Sequence, residues 1–83
     1  MALLTVQLGG TLQSYAGGTK TFQVEAGNIR EMLTRLGQQV PALKAVLDRG
    51  VAVAVDGQII REAWFHPLTA ENEIFLLPKL AGG

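Results

Sequence analysis

The chain has 83 residues, 48% of them hydrophobic, and its seven Lys and Arg balance seven Asp and Glu. This length and apolar content predict one folded domain, and the lack of surplus positive charge argues against a nucleic-acid-binding or membrane-surface protein. Because the chain has no cysteine and a single histidine, His66, a disulfide scaffold, a Cys- or His-rich metal site and a thiol nucleophile are excluded.

Two segments of alternating hydrophobicity open the chain. Residues 3–8 place three apolar side chains on one face and polar ones on the other, which predicts a half-buried strand. The glycine-rich residues 9–18 predict a long turn. Residues 19–26 alternate again, so we expect the two strands to pair as a hairpin.

The period changes to that of a helix over residues 28–39. Four apolar residues share one face at the helical spacing: Ile29, Met32, Leu33 and Leu36. Asn28 is the expected N-cap, with Glu31 completing a capping box. We expect this helix to end at Gly37 and Pro41, and the following residues to form a second, short helical turn.

The remaining elements are strands. Residues 51–55 alternate Val with Ala, and Asp56-Gly57 predicts a hairpin turn into a short return strand over residues 58–60. An irregular stretch then leads to a closing strand over residues 73–78. The order predicts an α+β domain in which a mixed sheet of four to five strands carries one main helix on one face. The other face is expected to be open to solvent.

Targeting and membrane signals are not expected. The longest apolar runs are far shorter than the roughly 18 residues of a membrane span. No basic residue precedes Lys20 and no cleavage-site pattern is visible, so we expect no signal peptide and a cytoplasmic location.

Three short motifs occur in a characteristic order. They are "VAVDG" at residues 53–57, Pro67-Leu68 before "ENEI" at residues 71–74, and Pro78 followed by three residues and Gly82-Gly83. With this pattern the whole chain resembles the ubiquitin-like β-grasp sulfur carriers. These include the small subunit of molybdopterin synthase and the carriers of thiamine and amino-acid sulfur.

The chain departs from the pattern of that family at three places. Asp56 stands where asparagine is common, Glu71 where a turn glycine is expected, and Asn72 where aspartate is expected. Asn72 is still able to adopt a left-handed conformation. None of the changes touches the C-terminal end, so they bear on the subfamily more than on the family.

The resemblance implies that the carboxylate of Gly83 is the group that reacts. A ubiquitin-activating-type adenylyltransferase would join it to AMP from ATP, and a persulfide sulfur would convert it to a thiocarboxylate. We accordingly expect residues 1–77 to form the β-grasp domain and residues 78–83 a flexible tail. The tail residues expected to enter the partner are Gly82, Ala81, Leu80 and Lys79. No catalytic side chain, metal or bound cofactor of its own is implied.

The closing strand predicts a docking surface beside the tail. If Ile74 and Leu76 point into the core, the period of two sends Phe75 and Leu77 to the open face. The small Ala52 and Ala54 are expected on that same face. We predict that these four residues dock a partner enzyme. The alternative is that the loop around Trp64 and Phe65 covers Phe75 and Leu77.

Other candidate residues have simpler interpretations. His66 lacks an evident nucleophile or metal partner and is expected to be an ordinary loop histidine. Trp64 and Phe65 are expected to cap the core. Lys79 either pairs with an acidic partner or is solvated. The glycines of residues 9–18 precede a strand and lack a Gly-Lys-Ser/Thr ending, which argues against a phosphate-binding loop.

Three functional hypotheses remain open. The first is a sulfur carrier, with the small subunit of molybdopterin synthase favoured by length, by the "PAL" at residues 41–43 and by the apolar approach to the tail. In that role a larger catalytic subunit accepts the sulfur. The second is a protein modifier joined through Gly83 to target lysines, and the third is a binding module in which the diglycine is incidental.

Overall fold

The computed structural model describes residues 2–60 and 63–78. The described part contains five strands, two α-helices and a 3₁₀ segment. The strands are β1 (Ala2–Leu8), β2 (Thr21–Ala26), β3 (Val51–Val55), β4 (Gln58–Ile60) and β5 (Ile74–Pro78). The helices are α1 (Ile29–Gln39) and α2 (Pro41–Arg49), and the 3₁₀ segment is Gly10–Ala16.

The five strands form one mixed sheet in the order β2-β1-β5-β3-β4. The β1–β5 pair is parallel and the other three pairs are antiparallel. The predicted α+β architecture and the hairpin between the first two strands are therefore confirmed. The last strand of the sequence lies in the middle of the sheet, between β1 and β3.

The core lies between the inner face of the sheet and the helices. Its fully buried members come from alternating strand positions and from one stripe of each helix. They include Leu4, Val6, Met32, Leu36, Leu43, Ile74 and Leu76, each with no exposed surface. The described residues include no buried polar or charged residue, so burial of apolar surface stabilises the interior.

The start of α1 is held by side-chain and loop contacts. The side chain of Asn28 accepts a hydrogen bond from the Glu31 backbone N–H at 2.8 Å, which confirms the predicted cap. The Glu31 carboxylate accepts from the backbone N–H of Gly27, one residue before the N-cap, at 2.8 Å. Two further N–H groups of the first turn donate to carbonyls of the loop that follows β4, those of Trp64 and His66.

The helix ends at Gln39, the last residue of the predicted helical stretch, but the prediction that Gly37 helps to end it is wrong, since Gly37 lies inside the helix. Gly37 is buried where α2 crosses α1. A Cβ placed on it would lie 3.6 Å from Cδ1 of Leu47 and 3.7 Å from Cγ of Lys44. These are ordinary van der Waals distances, so Gly37 lies in the contact between the helices without being required by it. Pro41 begins α2, where a missing N–H costs nothing.

The prediction of a long turn over residues 9–18 is incomplete. The segment winds into the 3₁₀ turns of Gly10–Ala16 and buries Leu12 completely. The Gln13 side-chain amide also donates to the carbonyl of Leu8 at 2.8 Å. Isolated apolar residues among glycines give no periodic signal, so sequence reasoning missed Leu12 as a core residue.

The predicted hairpin between β3 and β4 is confirmed. Val55 pairs with Gln58 across the turn, and Asp56 and Gly57 both have positive φ, 51° and 84°. Two positive φ values are what a type I′ hairpin turn requires. The closing strand begins at Ile74, one residue later than expected.

Candidate functional site

The C-terminal segment that contains the predicted reactive residue, Gly83, comes directly after β5 in the sequence. This strand is hydrogen-bonded on both sides, to β1 and to β3, and the chain continues from it into residues 79–83. Those five residues, Lys79, Leu80, Ala81, Gly82 and Gly83, lie outside the described residues. Their roles stay predictions.

The sheet reaches the first residue of the predicted tail. Pro78 is the last residue of β5 and pairs with Val51 at the start of β3. Proline has no N–H to donate and therefore suits the end of a strand. Its ring also fixes φ, so the backbone is restrained up to the point where residues 79–83 begin.

The four predicted docking residues lie together on the outer face of the sheet. Phe75 pairs directly with Ala54, and Leu77 pairs directly with Ala52. Directly paired residues point to the same face, so the two large side chains flank the two small ones. The same row extends to Ile59 on β4, which pairs with Ala54.

We call these five residues the open-face patch: Ala52, Ala54, Ile59, Phe75 and Leu77. Ile59 is 48% exposed, whereas Phe75 and Leu77 are half-buried and Ala54 is buried. Sequence reasoning missed Ile59, although the alternation of residues 58–60 against β3 carried the signal. The patch is therefore a partly covered apolar surface with its most exposed side chain at the edge of the sheet.

The other half of the outer face is mostly polar. On β1 and β2 the outward positions are Leu3, Thr5, Gln7, Thr21, Gln23 and Glu25. Leu3 is the exception and is 51% exposed. The apolar part of this face is thus concentrated on β5, β3 and β4, beside the point where the tail begins.

The loop around Trp64 and Phe65 is joined to the start of α1 by backbone hydrogen bonds. The carbonyl of Trp64 accepts from the Arg30 N–H at 2.8 Å, and Pro67 forms an isolated bridge with Asn28. Trp64 is 52% and Phe65 71% exposed. The expectation that both rings cap the core is wrong, because both are exposed and neither belongs to the core cluster or to the partly buried residues packed against it.

Neither a metal site nor a membrane-spanning helix is found among the described residues. Within residues 2–60 and 63–78, no group of three or more His, Asp or Glu could hold a metal ion. In the same residues no helix is long and apolar enough to cross a membrane. The side chain of His66 is partly exposed on the loop, and its backbone carbonyl accepts from the N–H of Ile29.

Comparison with models of known protein families assigns the chain to one family. The model of the ThiS family matches residues 6–83, which is nearly the whole sequence. The chain belongs to the ThiS family. The predicted membership in a β-grasp sulfur-carrier family is thereby confirmed. No curated protein matches the sequence.

Solved structures show the same fold. The ThiS-family chain is 28% identical to the small archaeal modifier protein 1 of Methanosarcina acetivorans, with a TM-score of 0.84 over 100% of this chain and 98% of that one. It is 26% identical to a chain in the complex of subunits 1 and 2 of the molybdopterin-converting factor of Helicobacter pylori. That match has a TM-score of 0.69 and covers 98% of this chain and 99% of that one.

A third structure supports the fold alone. It is the BexX/CysO complex of Amycolatopsis orientalis, matched at 22% identity with a TM-score of 0.77 over 96% of this chain and 99% of that one. These matches confirm the ubiquitin-like β-grasp prediction, a five-stranded mixed sheet with helices packed on one face.

Proposed function

We propose that this ThiS-family protein carries sulfur on the carboxylate of Gly83 and donates it as the small subunit of a molybdopterin synthase. The observation that carries the proposal is the position of β5. A central strand, bonded on both sides, runs straight into the segment that ends in Gly82-Gly83. A rigid strand gives that segment a fixed starting point, and glycines without Cβ suit a narrow channel in a partner.

The proposed chemistry begins with activation of the carboxylate. A terminal carboxyl group, with a reference pKa of about 3.3–3.7, is ionised at neutral pH. An oxygen of Gly83 attacks the α-phosphorus of ATP in a ubiquitin-activating-type adenylyltransferase, and pyrophosphate leaves. The terminal sulfur of a persulfide then attacks the acyl carbon, and AMP leaves. This step forms a C–S bond and gives an acyl disulfide that keeps the S–S bond of the persulfide. A thiol reductant cleaves that S–S bond, forms a disulfide with the remaining sulfur of the persulfide donor, and leaves a thiocarboxylate on Gly83.

This chemistry asks little of the protein's own side chains. The nucleotide-binding groups belong to the activating partner, so the protein acts as a carrier and needs no cofactor of its own. In the final step a larger catalytic subunit would accept the sulfur, in the cytoplasm. The similarity to the molybdopterin-converting factor of Helicobacter pylori, at 26% identity over 98% of this chain, supports that choice of acceptor.

The open-face patch is the proposed docking surface for these partners. Leu77 and its partner Ala52 adjoin Pro78, where the tail begins, so a partner that covers the patch also receives the end of the chain. Fully burying a large apolar side chain contributes about 1.5–3 kcal/mol. Phe75 and Leu77 are already half-buried, so each would contribute less than that full amount.

A protein modifier is the second candidate function. The 28% identity to small archaeal modifier protein 1, over 100% of this chain, favours it. Activation of Gly83 would be the same, but a lysine amine of a target would displace AMP and form an isopeptide bond. A carrier for thiamine or amino-acid sulfur would differ only in the enzyme that accepts the sulfur.

Intact mass after incubation with ATP, a sulfur source and an activating enzyme tests the proposal. We expect the full chain to gain the mass of one sulfur-for-oxygen exchange, and a chain lacking Gly82-Gly83 to gain nothing while keeping its circular dichroism spectrum. Phe75→Ser should slow the conversion, whereas Thr5→Ser, on the polar half of the same face, should not. Conversion of the truncated chain would refute the role of Gly83.

Two further measurements separate the candidate functions. Adding the thiocarboxylate form to a large molybdopterin synthase subunit should give the dithiolene product, and failure to form it contradicts that acceptor. Lysine adducts of higher mass in cells, without a free thiocarboxylate, would instead identify a modifier.

A further inference from the structure

Gly9, the residue after β1, lies against the end of β5. Its backbone N–H donates a hydrogen bond to the carbonyl of Leu76 at 2.8 Å. A Cβ placed on Gly9 would lie 2.5 Å from Cδ2 of Leu77 and 3.4 Å from the carbonyl oxygen of Leu76. The side chain of Leu77 therefore occupies the space that any other residue at position 9 would need for its own side chain.

Gly10 makes the corresponding contact with the next residue of β5. A Cβ on Gly10 would lie 3.2 Å from both Cγ and Cδ of Pro78. Its φ of 57° is in the left-handed region, which favours glycine for a second reason. Successive glycines thus face Leu77, the last residue before the predicted tail, and Pro78, the first residue of that tail.

Other glycines of the same loop lack such a contact. Gly17 and Gly18 also have positive φ, 65° and 87°, but a Cβ on either would meet nothing within 4 Å. The close approach to β5 is therefore specific to Gly9 and Gly10 and is not a general property of a glycine-rich loop.

We infer that Gly9 and Gly10 are positioning residues that set the direction in which the end of the chain leaves the sheet. We call these two residues the glycine pair. It holds the Leu77 side chain and the Pro78 ring in place without side chains of its own. This inference rests on the proposed function, because it concerns delivery of Gly83 to the activating enzyme.

The physical argument is one of preorganisation. A partner that takes up the tail must order it, and restraint of Leu77 and Pro78 beforehand lowers the entropy lost on docking. A methyl group at position 9 would push Leu77 out of its place. Because Cδ2 is the far end of a flexible side chain, the displacement should be local and the fold should remain.

The test compares glycine-to-alanine variants in pairs with matched backbones. Gly9→Ala is matched by Gly27→Ala, since neither glycine has a positive φ and a Cβ on Gly27 would meet its nearest atom only at 3.4 Å. Gly10→Ala is matched by Gly17→Ala, which carries the same left-handed strain without the contact to Pro78. Kinetics of adenylation are measured for each full-length variant, with unfolding in urea as the measure of stability.

We expect Gly9→Ala and Gly10→Ala to raise KM for the activating enzyme roughly three- to tenfold with kcat unchanged, whereas the matched variants keep the wild-type KM. In a Leu77→Ala background, Gly9→Ala should have no further effect on KM, because the side chain it displaces has gone. That coupling assigns the effect to the contact with Leu77, and a rise in KM at unchanged kcat, absent from the matched variants, is the result that a merely structural role would not give.

Two results would overturn the inference. If Gly9→Ala and Gly10→Ala keep the KM of the wild type, the glycine pair does not position the tail. If the variants of the glycine pair and their matched controls show equal rises in KM, in proportion to their loss of stability, the effect is one of general destabilisation. Failure of the proposed activation at Gly83 looks different, since the wild-type chain itself would then not be adenylated.

Discussion

Asp56 combines an unusual backbone conformation with a hydrogen-bonded side chain. It is the one non-glycine residue with a positive φ in the described ranges, so the left-handed residue of this region is Asp56 and not Asn72. Its carboxylate accepts from Nδ2 of Asn72 at 2.7 Å and from the backbone N–H of Glu73 at 2.8 Å. These bonds tie the β3–β4 turn to the residues that lead into β5.

This pairing explains two departures from the family pattern. The pattern has asparagine at the position of Asp56 and aspartate at that of Asn72, so the two residue types are exchanged here. Either arrangement provides one carboxylate and one amide, and the side-chain hydrogen bond is kept with its donor and acceptor reversed. Two aspartates would bring like charges together. Asn72 also accepts from the Thr69 N–H at 2.7 Å, a bond that aspartate would keep.

We predict that Asn72→Asp destabilises the protein and that adding Asp56→Asn restores most of the loss. The single change should cost about 0.5–1.5 kcal/mol, the usual value of a hydrogen bond near the surface. Urea unfolding of the wild type, both single variants and the double variant gives the coupling energy. Simple additivity of the two single effects would show that the residues do not interact.

At the scale of elements, the two helices meet through Gly37. A buried glycine within α1 is the feature that sequence reasoning interpreted as a helix end. The contacts show space for a methyl group, because a Cβ would lie at ordinary distances of 3.6–3.8 Å from side-chain atoms of α2. Glycine inside a helix is less favourable than alanine by roughly 0.8–1 kcal/mol.

We therefore predict that Gly37→Ala stabilises the protein by about 0.5–1 kcal/mol, through helix propensity and a less flexible unfolded chain. Gly57→Ala is the contrasting variant: its φ of 84° is strained for alanine, so it should destabilise. Thermal and urea unfolding measure both. A loss of stability in Gly37→Ala would mean that the helices cannot accept even one methyl group.

At the scale of the whole molecule, stability depends on the central strand. Leu76 of β5 is fully buried on the inner face of the sheet, and a small domain has only about 5–15 kcal/mol of stability in total. Residues far apart in the sequence meet here, since Leu76 pairs with Leu8 on one side and Val53 on the other. The strand that leads to the tail is thus also part of the core.

Leu76→Ala should lower the free energy of unfolding by about 2–5 kcal/mol, the range for losing a buried leucine side chain. Leu3→Ala is the control, because Leu3 is 51% exposed and should change stability by less than about 0.5 kcal/mol. Urea midpoints compare the two. Equal effects would contradict the burial difference between them.

The sequence by itself determined the strands and the main helix, the α1 cap at Asn28, the alternation of β5 and the family pattern. These are local properties, because side-chain period, capping and turn chemistry depend on near neighbours in the chain. It predicted the placement of Phe75 and Leu77 on the open face for the same reason.

Only the tertiary structure decided which distant segments meet. It put β5 between β1 and β3, brought Gly9 and Gly10 against Leu77 and Pro78, added Ile59 to the open-face patch and kept Gly37 inside α1. Contacts of this kind depend on sheet order and close packing, which no local period encodes.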